Sequence, residues 1–269
     1  MIVDIHTHCF PDKLASRAIP LLADTAGIMP HTDGTVKALK ESMKAAGVNR
    51  SVLQPIATKP EQTPVINGWA IGVQNGSIIS FGTIHPAYPL WKDEIKRLSE
   101  AGIRGIKFHP DYQNFFADSP DLFPIYEAIF EHDMIILFHA GIDIGLPPPC
   151  HCTPAMLSSL IDAFPGAPII AAHMGGYLLW EEVKRHLAGR NIYLDTSYSF
   201  ADLGSAGMTD IIKAHGADKI LFGTDSPWAH QQTELANIRS LPLSRKDIDA
   251  ILGGNARKLL KLDANPTAG

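Results

Sequence analysis

Eight apolar runs rich in β-branched residues recur along the chain, and each has the length of a strand that is buried on both faces. Helical patterns separate most of these runs. Eight strands alternating with helices over about 250 residues are what a (β/α)8 TIM barrel requires. The predicted strands cover about residues 2–8, 50–57, 78–86, 103–110, 134–141, 167–175, 191–197 and 219–228.

Polar residues mark several predicted helix ends. Ser119 and Thr153 each precede a proline, and they predict N-caps for helices over residues 122–132 and 155–164. Ser244, with an aspartate three positions later, resembles a capping box that opens a helix, and two glycines interrupt this helix near its end.

The first crossover, residues 9–49, is longer than the others. It predicts an irregular insertion over the barrel mouth, followed by a helix over residues 36–46. A last helix over residues 255–262 precedes a loose tail, residues 263–269. No G-x-G-x-x-G motif follows any predicted strand, which disfavours a doubly wound open sheet. We therefore predict one α/β domain over residues 1–269.

The first predicted strand carries two histidines two positions apart. Because side chains alternate between the faces of a strand, Asp4, His6 and His8 are expected to share one face and to point into the barrel mouth. The intervening residues, Val3 and Ile5 among them, would pack outward against helices. Two neutral imidazoles that converge on one point make half of a metal site.

Other predicted strands also end in potential ligands. A single histidine at the end of an apolar strand is usually structural, but several such ends at the mouth of one barrel predict a metal site. The residues are His139, His173 and Asp225 on strands five, six and eight, Lys107 and His109 on strand four, and Thr83 and His85 on strand three.

The composition limits the class of protein. With 269 residues, 45% of them hydrophobic, and a mean hydropathy of +0.02, the chain can bury a large core. No apolar run approaches the ~20 residues that a membrane span needs, and the N-terminus shows no signal sequence. A net charge of −5 without basic clusters argues against nucleic-acid binding. We expect a cytoplasmic protein with a small-molecule partner, and homo-oligomerisation stays open.

The chain has three cysteines, which form no disulfide framework. Two of them lie in a Cys-His-Cys sequence at residues 150–152, after three prolines. A C-x-C pair alone is a weak metal signal, so we interpret this segment as a rigid loop with ordinary thiols.

The motifs around these ligands resemble those of the amidohydrolase superfamily: His6-x-His8, His139, His173 in Ala-His-Met-Gly-Gly, and Asp225 in Gly-Thr-Asp-Ser-Pro-Trp. More narrowly, the chain is similar to amidohydrolase family 2, which includes aminocarboxymuconate-semialdehyde decarboxylase. The resemblance implies that His6, His8, His139 and Asp225 bind one divalent metal ion, with zinc first and manganese or iron as alternatives. It also implies that His173 and Asp225 act as catalytic acid and base.

Other roles stay open for several residues. Asp225 could cap a helix. His173 could be structural, or it could bind a second metal ion beside a carboxylated Lys107, as in binuclear members of the superfamily. Lys107 and His109 could instead bind an anionic group of the substrate, with Trp228 in the wall of the pocket.

Three functions are compatible with these motifs. The first is a metal-dependent hydrolase that uses a metal-activated water on a small carboxylated or cyclic substrate. The second is a non-oxidative decarboxylase that uses the same mononuclear site. The third, of another class, is a non-catalytic barrel that binds a metal ion or a metabolite.

Overall fold

Short parallel strands form a barrel. The structure, a computed structural model, describes residues 1–262, so the predicted tail at residues 263–269 lies outside the described residues. Within the described chain, the strand segments are β1 Val3–Thr7, β2 Arg50–Leu53, β3 Ile78–Ser80, β4 Gly82–Thr83, β5 Gly105–Phe108, β6 Ile135–Phe138, β7 Ile169–Ala171, β8 Tyr193–Asp195 and β9 Ile220–Leu221. Because β3 and β4 are halves of one strand, these segments occupy eight positions.

The strands pair in chain order and the barrel closes on itself. β1 to β3 pair in sequence, and so do β4 to β9, in parallel throughout. Between the halves of the interrupted strand, the Phe81 amide donates to the Leu53 carbonyl oxygen at 2.9 Å. The Ile5 amide donates to the Phe222 carbonyl oxygen at 2.8 Å and links β1 to the end of β9. The predicted (β/α)8 TIM barrel is confirmed.

Helices surround the barrel and bury an apolar layer against it. In the described residues they are α1 Asp12–Ala26, α2 Val36–Ala46, α3 Thr63–Val73, α4 Trp91–Glu100, α5 Pro110–Gln113, α6 Phe123–Glu131, α7 Pro154–Ala163, α8 Trp180–His186, α9 Phe200–His215, α10 Gln231–Arg239, α11 Arg245–Asp249 and α12 Asn255–Leu259. Ile106 and Phe108 of β5 share this layer with Leu98 of α4 and Ile129 of α6. Among residues 1–262, no helix is both long and apolar enough to cross a bilayer.

A β-bulge in β1 changes which of its residues face inward. Between Asp4, which pairs with Ser51, and Thr7, which pairs with Leu53, β1 has one residue more than β2. Asp4 consequently lies against α10, where Gln231 Nε2 donates to its Oδ2 at 2.8 Å. The prediction that Asp4 shares the inward face with the two histidines is therefore wrong.

The same bulge leaves apolar residues of β1 inside the barrel. Val3 and Ile5 belong to a buried cluster that also contains Leu137. Leu137 pairs in register with Lys107, which lines the central cavity, so the side chains of this cluster point into the barrel. The outward packing predicted for Val3 and Ile5 is wrong, because alternation was assumed to be unbroken. Apolar side chains, together with α12, fill the amino-terminal end of the barrel. The inward-facing polar side chains therefore lie at its carboxyl end.

The first crossover begins with a helix, not with an irregular insertion. α1 occupies most of the segment before α2, and α2 has the predicted bounds of residues 36–46. Pro20 lies inside α1 and concealed it from sequence reasoning, because an internal proline usually ends a helix. Leu14 and Leu22 of α1 line the cavity at the barrel mouth.

Two of the three predicted caps form their expected hydrogen bonds. The Met156 amide donates to Thr153 Oγ1 at 3.3 Å, and the Asp247 amide donates to Ser244 Oγ at 3.1 Å. Ser119 makes no capping hydrogen bond, because a short 3₁₀ turn separates it from α6.

Gly141, which follows β6 in the loop that carries His139, provides a test of the close packing at the barrel mouth. Its φ is 88°, and a Cβ there would lie 2.0 Å from the Tyr177 backbone nitrogen. Gly166 has a similar φ of 86° with nothing near a Cβ. We expect Gly166→Ala to lower the free energy of unfolding by about 1 kcal/mol and Gly141→Ala by about 4 kcal/mol, measured by denaturant titration. Equal losses would contradict the contact with Tyr177.

Candidate metal centre and substrate cavity

Residues that follow the barrel strands meet in one cavity. His139 comes directly after β6, His173 follows β7, and Asp225 lies in the loop after β9. The cavity has a volume of about 430 Å³. Two of the strand-end residues, Thr83 and His85, do not line this cavity. The other predicted site residues all line it: His6, His8, Lys107, His109, His139, His173, Asp225 and Trp228.

The backbone around Asp225 holds its carboxylate against the end of β1. Its amide donates to the His6 carbonyl oxygen at 2.8 Å, and its φ is 69°, which only a well-supported loop maintains in a residue other than glycine. A Cβ on Gly223 would lie 3.0 Å from His6 Cβ, so glycine permits this approach. The next helix begins only at Gln231, so Asp225 is not a helix cap.

Three atoms that can donate lone pairs to a metal ion form a nearly equilateral triangle, the donor triangle. His6 Nε2 and His8 Nε2 are 3.2 Å apart, and Asp225 Oδ1 lies 3.3 Å from the first and 3.1 Å from the second. Ligand atoms about 2.0 Å from a tetrahedral ion are about 3.3 Å from one another. The triangle therefore has the dimensions of one face of a metal coordination sphere.

The hydrogen bonds behind the histidines assign their tautomers. His6 Nδ1 lies 2.9 Å from Asp195 Oδ2, and His8 Nδ1 lies 2.9 Å from the Gln54 carbonyl oxygen. Because both partners only accept, each Nδ1 carries the proton and each neutral ring presents an Nε2 lone pair to the triangle. Burial and the charge of Lys107 lower the pKa of His6 to about 4, so this ring is neutral at pH 7. Lone pairs this close to a carboxylate oxygen require a cation or a proton between them.

Lys107 is the amine nearest to this triangle. Its Nζ lies 3.3 Å from His6 Nε2, and its side chain is 1% exposed. Burial lowers the pKa of Lys107 to about 8, because water no longer stabilises the charged form. The amine can donate to His6 Nε2, and it places a positive charge beside the donor triangle.

His139 and His173 form an adjoining pair. His173 Nδ1 lies 3.0 Å from the Ser197 carbonyl oxygen, so it carries a proton and leaves Nε2 as an acceptor. His139 Nδ1, at 3.0 Å, donates to that Nε2. His139 Nε2 then has a buried lone pair with no hydrogen-bond partner, which is a position that a cation can fill. The structure brings three of the predicted ligands into contact, whereas the fourth, His139, lies outside that group. It contacts His173, whose ring centroid is 5.3 Å from that of His6.

His109 and Asp143 border His139 on its other side. The Tyr112 amide donates to His109 Nδ1 at 3.3 Å, so His109 Nε2 carries the proton and faces Asp143 Oδ2 at 3.1 Å. Asp143 Oδ2 is 4.0 Å from His139 Nε2. His109 Nε2 therefore offers Asp143 a proton and not a lone pair, and its ring stacks on that of His139 at 4.0 Å and 12°. This group is therefore better suited to hydrogen bonding than to a second metal ion.

The Cys-His-Cys segment does not enter the cavity. Cys150 Sγ donates to the Gly141 carbonyl oxygen at 3.0 Å, and His151 Nδ1 contacts Asp111 Oδ1 at 2.9 Å. Burial raises the pKa of the Cys150 and Cys152 thiols. These contacts fit the predicted rigid loop with protonated thiols.

Sequence reasoning missed the residues that orient the candidate ligands. Asp195 Oδ2 faces His6, while its Oδ1 accepts from the His173 amide at 3.1 Å and from the Ser197 amide at 3.0 Å. Asp195 ends the seventh barrel strand, so the signal that identified Asp225 was also present there. Asp143 lies in a loop without any comparable pattern.

We expect Asp195→Asn to weaken metal binding 10- to 100-fold. The asparagine oxygen can keep the bonds to the two amides, and its NH2 group then faces His6 Nδ1. A donor there moves the His6 proton to Nε2 and removes the lone pair from the triangle. Titration of the metal-free protein with Mn²⁺ and Zn²⁺ measures the effect, with exposed Asp210→Asn as the control. Unchanged affinity in Asp195→Asn would contradict the tautomer assignment.

Comparison with known proteins identifies relatives of this chain. The chain is 31% identical over 133 residues to gamma-resorcylate decarboxylase from Polaromonas sp. (strain JS666), a match that covers 42% of this chain and 40% of the relative. The match thus spans about two fifths of the length of that relative.

Solved structures share the whole fold at low identity. A 2,6-dihydroxybenzoate decarboxylase in complex with 2,6-dihydroxybenzoate superposes with a TM-score of 0.74 at 17% identity, over 97% of this chain and 99% of the other. A dihydroxybenzoic acid decarboxylase from Polaromonas sp. JS666, with bound manganese and the inhibitor 2-nitroresorcinol, gives 0.72 at 18% identity, over 97% of each chain. The amidohydrolase family model matches residues 3–262, almost the entire described chain. This protein is therefore a member of the amidohydrolase family, in its family 2 group.

Proposed function

We propose that the protein is a metal-dependent, non-oxidative decarboxylase that removes carbon dioxide from a small hydroxylated aromatic acid. The observation that carries the proposal is the buried Lys107 amine beside a donor triangle with the dimensions of a cation site. Two positive charges at the closed end of a cavity favour a bound carboxylate. The curated relatives are decarboxylases, which favours this reaction over the hydrolysis that sequence analysis placed first.

His6, His8 and Asp225 would hold the metal ion. His139, the predicted fourth ligand, lies outside this group with a free Nε2, and its binding to the same ion is part of the proposal. A divalent ion bound there supplies fixed positive charge for the oxygens of the substrate. Imidazole and carboxylate ligands suit several first-row ions, and the manganese in a structural neighbour makes Mn²⁺ a candidate beside Zn²⁺.

The remaining residues would bind and orient the substrate. Lys107 donates to the substrate carboxylate from the floor of the cavity. Trp228 contributes an aromatic face to the wall, and His109 borders the same space with its proton held on Nε2. The surrounding burial excludes water, which strengthens each of these electrostatic contacts.

Decarboxylation then needs two proton movements. Asp225 accepts the proton of the substrate hydroxyl, which makes the ring more electron-rich. His173, whose Nδ1 proton is held by the Ser197 carbonyl oxygen, would first take up a proton from water at Nε2, in place of the hydrogen bond from His139, and then deliver it to the ring carbon that bears the carboxylate. The bond from that carbon to the carboxylate breaks, its electron pair restores the aromatic ring, and carbon dioxide leaves.

We expect His173→Asn to lower kcat 10²- to 10⁴-fold because it removes the proton donor, while metal content is retained. Initial rates of carbon dioxide release from 2,6-dihydroxybenzoate and elemental analysis measure the two quantities. His186→Asn, at a surface ion pair with Glu182, is the matched control and should leave both unchanged. A His173→Asn protein with full turnover would exclude His173 as the acid.

Isotope incorporation separates decarboxylation from hydrolysis. In D2O, the reaction should place one deuterium on the carbon that lost the carboxylate, because the new C–H bond takes its hydrogen from an exchangeable site. Mass spectrometry and NMR of the product measure this. A product that instead gains the elements of water, with no carbon dioxide released, would establish the hydrolase.

A further inference from the structure

The cavity is larger than one aromatic acid requires. Its volume is about 430 Å³. An apolar cavity of about 150 Å³ accommodates a benzene ring. The carboxylate and hydroxyl groups of the acid take up part of the remainder, and space for roughly one more ring is left between the donor triangle and the mouth.

The wall of that remaining space is apolar. Leu22 comes from α1, Ile66 and Trp69 come from α3, and Ile142 and Ile144 come from the loop after β6. Ile142 and Ile144 are 39% and 43% exposed, and because both line the cavity they present apolar surface to it.

α1 and the loop after β6 approach each other over the cavity. A Cβ on Gly145 would lie 3.5 Å from Thr25 Cγ2 and 3.7 Å from Ala26 Cβ. Because Ala26 and Ile144 line the same cavity, this contact forms part of its roof. The apolar residues therefore form the wall of a channel within the fold. They do not form an open surface patch.

The charges in the cavity restrict what can occupy this space. Among the described residues that line it, Lys107 is the one lysine or arginine, and it lies at the floor beside His6. Asp143 and Asp225 are the lining carboxylates. A second acidic group placed towards the mouth would have no lysine or arginine partner and would meet apolar side chains, at a cost in desolvation.

We propose that the substrate carries an uncharged apolar arm, about one ring in size, that extends from the acid-bearing ring along α1 towards the mouth. This inference rests on the proposed function for the position of the acid group. It distinguishes the substrate from a compact dihydroxybenzoate and from a dicarboxylic acid. Leu22, Ile66 and Trp69 select it by burying the arm.

Binding of a probe series to the Mn²⁺-loaded protein tests the inference. The probes are 2-hydroxybenzoate, its 4-phenyl and 5-phenyl derivatives, and its 4-carboxy derivative, each titrated by calorimetry. We expect at least one phenyl derivative to bind ten-fold or more tightly than 2-hydroxybenzoate, and the 4-carboxy derivative to bind no more tightly. If neither phenyl derivative gains affinity, or if the carboxy derivative gains as much, the inference is wrong.

Adjacent leucines on α1 provide a matched pair of variants. Leu22 lines the cavity, whereas Leu21 is 67% exposed and does not. Leu22→Asn should raise the ratio of the Kd of the phenyl derivative to the Kd of 2-hydroxybenzoate by at least three-fold, and Leu21→Asn should leave this ratio unchanged. An unchanged ratio in Leu22→Asn would overturn the proposed path of the arm.

The binding measurement separates this inference from the proposed reaction. If the phenyl probe binds tightly but no probe releases carbon dioxide, the decarboxylase assignment fails and the apolar arm stands. If 2-hydroxybenzoate or 2,6-dihydroxybenzoate is decarboxylated and the phenyl group brings no affinity, the reaction stands and the arm is excluded.

Discussion

The electrostatic conflict among His6 Nε2, His8 Nε2 and Asp225 Oδ1 is the constraint on which the account depends. Three acceptor atoms lie 3.1 to 3.3 Å apart in a buried site. Acceptors at such distances repel one another unless positive charge lies between them. The fold nevertheless holds them at these distances, so the site is preorganised to bind a cation.

Several features of the fold maintain this arrangement. The bulge in β1 turns His6 and His8 into the cavity while Asp4 remains outside it, bonded to α10. Asp195 then sets the His6 tautomer and also accepts hydrogen bonds from the His173 amide. One carboxylate behind the site thus couples a candidate ligand to the candidate acid, so the two cannot shift independently.

Apolar filling of the lower barrel has a functional consequence. Because side chains such as Leu137 and Phe81 occupy the interior below the site, the ligands are accessible from the mouth as far as residues 1–262 show. The ligand end of the cavity is therefore polar, buried and closed, while the open end is walled by α1, α3 and the loop after β6. Such a gradient suits a molecule with an ionic end and an apolar end.

Much of this architecture could be predicted from sequence, because continuous apolar runs identify buried parallel strands and their ends identify the mouth. The candidate ligands could be identified for the same reason, because they follow the ends of these strands. What could not be predicted depends on non-local geometry. A bulge breaks alternation without any residue that marks it, Pro20 disguises α1, and Asp143 acquires its role only because a loop folds back onto His109.

Anomalous diffraction from crystals soaked in Mn²⁺ locates the bound ion. We expect one manganese peak about 2.0 to 2.3 Å from His6 Nε2, His8 Nε2 and Asp225 Oδ1 together. Full occupancy of a manganese ion elsewhere in the cavity, with these three atoms left uncoordinated, would contradict this expectation.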